Sequence, residues 1–344
     1  MRMKIFCVVV LCACLFIACE KDNDDYEPVK PPVEQPENPV EPEKPDEPEK
    51  PEKPAIPPST DDIINVKIGD LNMIVGSEQW NAITYGNGRY VAVGTKGYVT
   101  YSDDGVNWST PKQINSIITV CSCIVYAIDK FVVCGQKTGS DYNGCIAYSS
   151  DGINWSIAEQ NNVTNWNSIT YGNGKFVVCG YGFSGYVAHS DDGVNWSTPT
   201  KLDKGYKSAE WNAITYGNGR FVLLGTEGFI SYSDDGVTFN SPILVGDDIW
   251  ECCTYGGDKF VAMGRSKQTA YSSDGINWSK PKAVGEVGSW WKEIAYANEK
   301  FVGIGNGGWI ICSSDGLNWG KAERITDESG KEITTNFYGV CAVH

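Results

Sequence analysis

"YSDDGVNWS", residues 101–109, is the stretch on which the fold turns. It returns as "YSSDGINWS" at 148–156, "HSDDGVNWS" at 189–197, "YSDDGVTFN" at 232–240, "YSSDGINWS" at 271–279 and "CSSDGLNWG" at 312–320. Two carboxylates beside a glycine and a tryptophan fit a catalytic acid pair, a calcium loop or a structural turn. The first acidic position is optional: Asp103, Asp191 and Asp234 give way to Ser150, Ser273 and Ser314. The second never changes, being Asp104, Asp151, Asp192, Asp235, Asp274 and Asp315. A calcium loop needs more oxygen ligands at set spacing and a distal glutamate, which this stretch lacks. A structural turn explains the fixed positions. The carboxylate accepts backbone N–H groups inside its own turn, the glycine supplies left-handed backbone, and the aromatic packs over the hairpin.

The box glycines, Gly105, Gly152, Gly193, Gly236, Gly275 and Gly316, are spaced by 47, 41, 43, 39 and 41 residues. A period in the low forties with several strands per unit is a propeller signature. Each unit opens with a strand such as "WNAITYG" (80–86), followed by an Asn-Gly hairpin turn. Then come "RYVAVG" (89–94), a variable loop, "YVTYS" (98–102), the box, and a last strand "VNWSTP" (106–111). Four strands make one blade, and no stretch carries a helical period. The box resembles the Asp-box, or BNR, repeat of sialidases and many other propellers, over about residues 59–344. That resemblance implies an all-β propeller of four-stranded antiparallel blades, with the boxes on the face away from the active site. Leftovers at both ends, "STDDIINVKI" (59–68) and "NFYGVCAV" (336–343), favour seven blades with the last shared by both termini; six is the alternative.

The N-terminus reads differently. Residues 1–18 read as a cleaved export signal peptide, with a basic start (Arg2, Lys4) and an apolar run from Ile5 to Ile17 that is too short to span a bilayer. Cys19 after Ala18 resembles the lipobox of bacterial lipoproteins, implying acylation at Cys19; a plain secretory signal is the alternative. "EKDNDD" after it resembles the acidic tag of Bacteroidetes surface lipoproteins, implying an outer-membrane protein facing the exterior. Between Glu20 and Pro58 lie 12 of the 16 prolines, and 13 acids against 5 lysines give a net charge of −8. Residues 19–58 are then the cysteine that the lipobox resemblance implies is lipidated, followed by an extended, self-repelling stalk reaching on the order of 100 Å at about 3.1 Å per residue. Of the total charge of −15, −9 belongs to residues 59–344. An acidic domain without basic clusters argues against nucleic acid, and membrane contact falls to the lipid alone. The expected state is a monomer.

Nine cysteines lie in the domain, and those at positions 134, 179, 123, 252 and 253 replace small or apolar residues of other copies. That is core-packing behaviour, with a disulfide or a metal as alternatives. No metal or cofactor is expected, since the chain has only His189 and His344 to help.

With the boxes facing away, the other face carries the blade-opening residues Trp80, Trp166, Trp211, Trp250 and Trp291, with Phe337 in the closing strand. These rings either wedge blades together or form stacking platforms for a ligand. Tyr142, Tyr181, Phe183 and Trp309, in irregular loops, are candidates that no repeat rule requires, and Arg265 sits in the loop "GRSKQ" (264–268). Sialidases share an arginine triad and an Arg-Ile-Pro motif. This chain has no Arg-Ile-Pro, and its domain has only Arg89, Arg220, Arg265 and Arg324. Arg89 and Arg220 read as solvated turn residues. Glu251, Glu293 and Glu227 supply carboxylates for another glycosidase, and each reads first as a solvated acid. The preferred function is a surface-tethered, non-catalytic recognition propeller for glycan or protein. An assembly scaffold, as in the related photosystem-assembly propellers, is second, and a divergent glycoside hydrolase third.

Overall fold

The structure is a computed structural model that describes residues 6–9, 79–105, 107–139, 143–158, 164–182, 184–202, 210–284, 290–326, 330–332 and 336–341. Six four-stranded antiparallel sheets follow one another, each with its strands in chain order. We call them blades 1 to 6: residues 80–113, 118–157, 165–201, 211–244, 250–283 and 291–324. Their first strands pack side by side around a common axis, and the closing strand Phe337–Cys341 packs between those of blades 6 and 1. Among the described residues the molecule is a β-propeller of six complete blades, the alternative count. The expectation of a seventh four-stranded blade is corrected. The seventh place holds the closing strand, paired in parallel with Phe6–Val9 from the segment read as an export signal. The stretch 59–68, expected to complete that blade, lies outside the described residues, as do Cys19 and the stalk.

Blade 3 shows why the sequence folds this way. Its strands are Asn165–Gly172, Lys175–Tyr181, Gly185–Ser190 and Thr200–Lys201. Asn173 and Gly174 take φ of 46° and 74°, the left-handed pair that a two-residue hairpin requires. The second strand buries Phe176, Val177, Val178 and Cys179 in succession, because both its faces meet neighbouring blades. The outer strand departs from expectation. After the turn the chain runs on, and only two residues pair at the edge, as in Lys112–Gln113, Thr200–Lys201 and Lys282–Ala283. Short edges carrying lysine resist pairing with other chains.

Blades are joined by devices that the repeat reuses. A register shift follows each blade-opening residue, as between Trp166 and Ser168. Such bulges re-aim a side chain. Here the freed asparagine reaches the next blade: the Nδ2 groups of Asn81, Asn167 and Asn212 donate to the carbonyls of Cys121, Trp211 and Trp250 at 2.9, 2.9 and 3.0 Å. At the other end of the strand Gly172 leaves room for Tyr216 of the next blade; a Cβ there would lie 2.0 Å from the ring.

Arg89 and Arg220 are ties between blades, correcting their reading as solvated. Arg89 donates from Nε to Asp103 at 2.6 Å and from Nη1 to the Asp151 carbonyl of blade 2 at 2.7 Å. Arg220 does the same with Asp234 and the Asp274 carbonyl of blade 5. Each guanidinium also lies over a tyrosine ring, Tyr101 or Tyr232. The eight cysteines within the six blades are free thiols, five of them buried.

The aspartate turn has the expected geometry. Asp192 Oδ1 accepts the amides of Val194 and Asn195, each at 2.8 Å, and the Ser190 hydroxyl at 3.0 Å. Its Oδ2 accepts Asn195 Nδ2 at 2.7 Å. Gly193 has φ of 73°, and a Cβ there would meet Val132 of the preceding blade at 2.9 Å. Burial alone would raise the Asp192 pKa. The two amides, the Asn195 side chain and the Ser190 hydroxyl outweigh burial and bring it below the usual carboxylate range. Its contribution to stability is therefore present above the unfolded pKa near 3.8 and lost as pH falls further. Asp192→Ala should destabilise the fold by about 1–3 kcal/mol, as loss of a turn acceptor does. Chemical denaturation at neutral pH measures this, and an unchanged midpoint would deny the turn its structural role.

Candidate functional site

Strand pairing separates two faces. At one end of blade 4, Gly217 pairs with Arg220 and Phe221 with Ser233, next to the aspartate turn. At the other end Trp211 pairs with Gly225. The turns thus lie on one face, and the blade-opening residues with the loops between second and third strands lie on the other.

On that second face the five tryptophans are not platforms. Trp80, Trp166, Trp211, Trp250 and Trp291 are at most 2% exposed. Trp211 packs with Cys179 and Val187 of blade 3 and with Ile214 and Leu223 of its own blade. A ring at the bulged end of a first strand fills the wedge between two diverging sheets, so nothing remains for a ligand. Phe337 is buried in the same way, and Cys121 takes the tryptophan position in blade 2, pairing with Gly135. Tyr181 is half-buried at the end of a strand, paired with Asn165 and Gly185. Tyr142 and Phe183 lie outside the described residues.

Arg265 and Trp309 do reach the surface. Arg324 stacks on Trp309 at 4.6 Å and donates from Nη1 to the Gly307 carbonyl at 2.5 Å. Arg265 donates from Nε to Glu251 Oε1 at 2.5 Å, and Lys292 Nζ lies 3.5 Å from Glu251 Oε2. Both cations flank the ring of Trp290, at 5.4 and 5.7 Å, and that ring is 50% exposed. Sequence reasoning passed over Trp290 and Lys292. The signal was "SWWKEI" (289–294), where a second tryptophan precedes the wedge and lysine replaces the asparagine latch. Glu251 and Lys292 occupy that latch position in blades 5 and 6, so an ion pair joins these blades in place of an amide–carbonyl bond.

Glu251 and Lys292 also line a cavity of about 490 Å³ on the axis, walled by the first strands of all six blades and the closing strand. Two positions after each blade-opening residue stand Ala82, Cys123, Ser168, Ala213, Cys252 and, in the closing strand, Gly339. Blade 6 has Glu293 there. Its Oε1 accepts only the neighbouring Ile294 amide, at 3.0 Å, and it forms no ion pair among the described residues. Burial raises its pKa to about 7, and the Ile294 amide offsets this only in part. The reading of Glu293 as a solvated acid is therefore corrected. Glu251 is held by two cations, and Glu227 is exposed, at φ of 56° in its loop. Around the cavity burial raises the thiols of Cys123, Cys252 and Cys253, with Glu293 adding to each, which keeps them protonated and unreactive. No group of three or more possible metal ligands gathers among the described residues.

The architecture defines the class: a β-propeller with one face of structural turns and one face opening on a charged, aromatic mouth. In fold the chain is similar to YCF48 bound to D1 peptide, with 17% identity over 75% of this chain and 84% of that one, at a TM-score of 0.54. It is similar as well to YCF48 from Cyanidioschyzon merolae, with 15% identity over 74% and 86% of the two chains and a TM-score of 0.52. No protein-family model and no curated protein matches the sequence.

Glu293 leaves a signature in stability. Its folded pKa, about 7, lies above its ordinary value of 4.5, so its stabilising contribution is complete below 4.5 and lost as pH rises through 7. Over that window wild type should lose on the order of 3 kcal/mol relative to Glu293→Gln, at about 1.4 kcal/mol per pKa unit. The comparison cancels His189, whose pKa is lowered chiefly by burial and then by Lys175, and which therefore adds a slope of opposite sign. Parallel pH profiles for the two proteins would show that the carboxyl is ordinarily solvated.

Proposed function

We propose that this chain is a non-catalytic recognition propeller that binds a protein segment at the mouth formed by Trp290, Arg265 and Lys292. The observation that carries the reading is the half-exposed Trp290 ring held between two cations. Tryptophan and arginine are the side chains that most often dominate protein-binding energy, and a ring fixed by its neighbours loses little entropy on contact. Arg265 and Lys292 share the one carboxylate of Glu251, so the mouth favours a segment offering acidic side chains or a terminal carboxylate. The similar fold that binds a D1 peptide supports a protein ligand. A glycan ligand loses its expected platforms, because the five blade-opening tryptophans are enclosed. The glycosidase reading loses its pair of free carboxylates, since of the two that line the cavity Glu251 is held by Arg265 and Lys292.

In this reading the repeated turns are Asp-boxes of the BNR type, here without the sialidase arginines. The chain is a lipoprotein held at the outer membrane by an acylated Cys19, with the stalk carrying the propeller outward; cleavage before Cys19 removes Phe6–Val9 from the closing strand. Cys19→Ala should move the protein from the membrane fraction to the soluble fraction; retention in the membrane would place the anchor elsewhere.

The binding reading is tested with purified full-length protein on an array of acidic and neutral peptides. Trp290→Ala should weaken the best peptide about tenfold or more, while changing stability by less than about 0.5 kcal/mol. Trp211→Ala should instead cost about 3–5 kcal/mol of stability, as removal of a buried wedge does. Full binding by Trp290→Ala, or peptide binding lost only on changing the aspartate-turn face at Asn107, would reverse the assignment of faces.

A further inference from the structure

The ring provides its own comparison for Glu293. Six of the seven equivalent places hold residues no longer than serine or cysteine, so the propeller closes without a long side chain there. A carboxyl group in that partly buried place costs stability, because burial opposes its charge and no cation among the described residues pairs with it. Lys292, the adjacent residue, is engaged with Glu251 instead. A costly departure aimed into a cavity is a ligand contact until shown otherwise.

We propose that the axial cavity binds one organic cation, an ammonium or guanidinium group, through ionised Glu293. The charges lining the cavity are Glu251, Lys292 and Glu293, a net of −1 once Glu251 and Lys292 offset each other. A single positive group neutralises the remainder. Ser122, Ser168 and Tyr338 line the same space and add polar side chains to it. Ile124, Ile169 and Ile214 give an apolar wall for an alkyl stem, and about 490 Å³ falls in the range of small-molecule pockets. The cation comes either from a lysine or arginine side chain of a bound protein or from a free amine. This inference concerns the channel and does not rest on the reading of the mouth.

The test uses purified full-length protein at neutral pH and calorimetric titration with four probes. These are n-butylammonium, its uncharged counterpart n-butanol, a Gly-Ser peptide with a single lysine, and the same peptide with norleucine. At least one cationic probe should bind and its uncharged twin should not, and Glu293→Gln should weaken the cation about tenfold or more. Binding of the lysine peptide alone identifies a protein side chain as the source, whereas binding of butylammonium shows that a free amine suffices. Glu293→Ala restores the small residue of the other places and keeps a folded control, which should also lose the cation. Trp290→Ala should bind butylammonium as wild type does, which separates this test from that of the mouth. The proposal is overturned if neither cation binds at millimolar concentration, if n-butanol binds equally well, or if Glu293→Gln keeps the affinity.

Discussion

A blade of this propeller cannot bury its second strand alone. Phe176, Val177, Val178 and Cys179 run in sequence with no solvent-facing member, and the two faces they present are covered by different neighbours. Val177 and Cys179 join the cluster shared with blade 4, while Phe176 and Val178 join the one shared with blade 2. Every blade therefore depends on the two beside it, and closure is the condition for any of them to fold. The joints follow from that condition. Tryptophan wedges the widening gap at one end, glycine admits the next tyrosine at the other, and asparagine bridges the first strands. The aspartate turn brings its glycine against the preceding blade, so even this local motif serves the joint.

Function then has little room on the framework. The turn face is occupied by its own hydrogen bonds, with Asp192 saturated by donors from its turn and Arg89 and Arg220 spanning to the next blade. The opposite face keeps two kinds of freedom, the loops between second and third strands and the few first-strand side chains that reach the axis. Blades 5 and 6 use both. Arg265 follows a second strand, Trp290 precedes a first strand whose second residue is Lys292, and Glu251 gathers the two positive charges.

Much of the fold was legible because its rules are local and repeated. Strand order, hairpin turns and the roles of Asp192 and Gly193 can each be read within a window of a few residues. The burial of the five tryptophans was not decided by the sequence, since wedge and platform use the same residue at the same place; only the neighbouring sheet separates them. Arg89 was misjudged for a similar reason. Its partner carbonyl on Asp151 lies 62 residues away, on the next blade. The outer strand of blade 1 was placed too early because the box's own aromatic stretch looked extended, yet the ladder there starts at Lys112. Blade number depended on chain ends where no second copy fixes the register.

In a repeat protein each copy is a control for the others, and a departure can be weighed by what the ring gains from it. Cys121 replaces a tryptophan wedge, but blade 2 fills the space with Ile118 at 2% exposure, so that exchange is repacking and points to no ligand. Glu251 and Lys292 replace the asparagine latch and restore a link between blades 5 and 6, which explains their charge but not the exposed ring beside them. Trp290 and Glu293 have no such compensation. One leaves half of a large apolar ring in solvent, and the other places in the cavity a carboxyl that no cation among the described residues answers. Stability selects against the carboxyl, because the small residues of the other copies fill that place without burying charge, and it gains nothing from the exposed ring. They lie three residues apart on either side of a buried wedge, one at the mouth and one in the channel. The bulge that places Trp291 between blades turns a single strand end into the support for both.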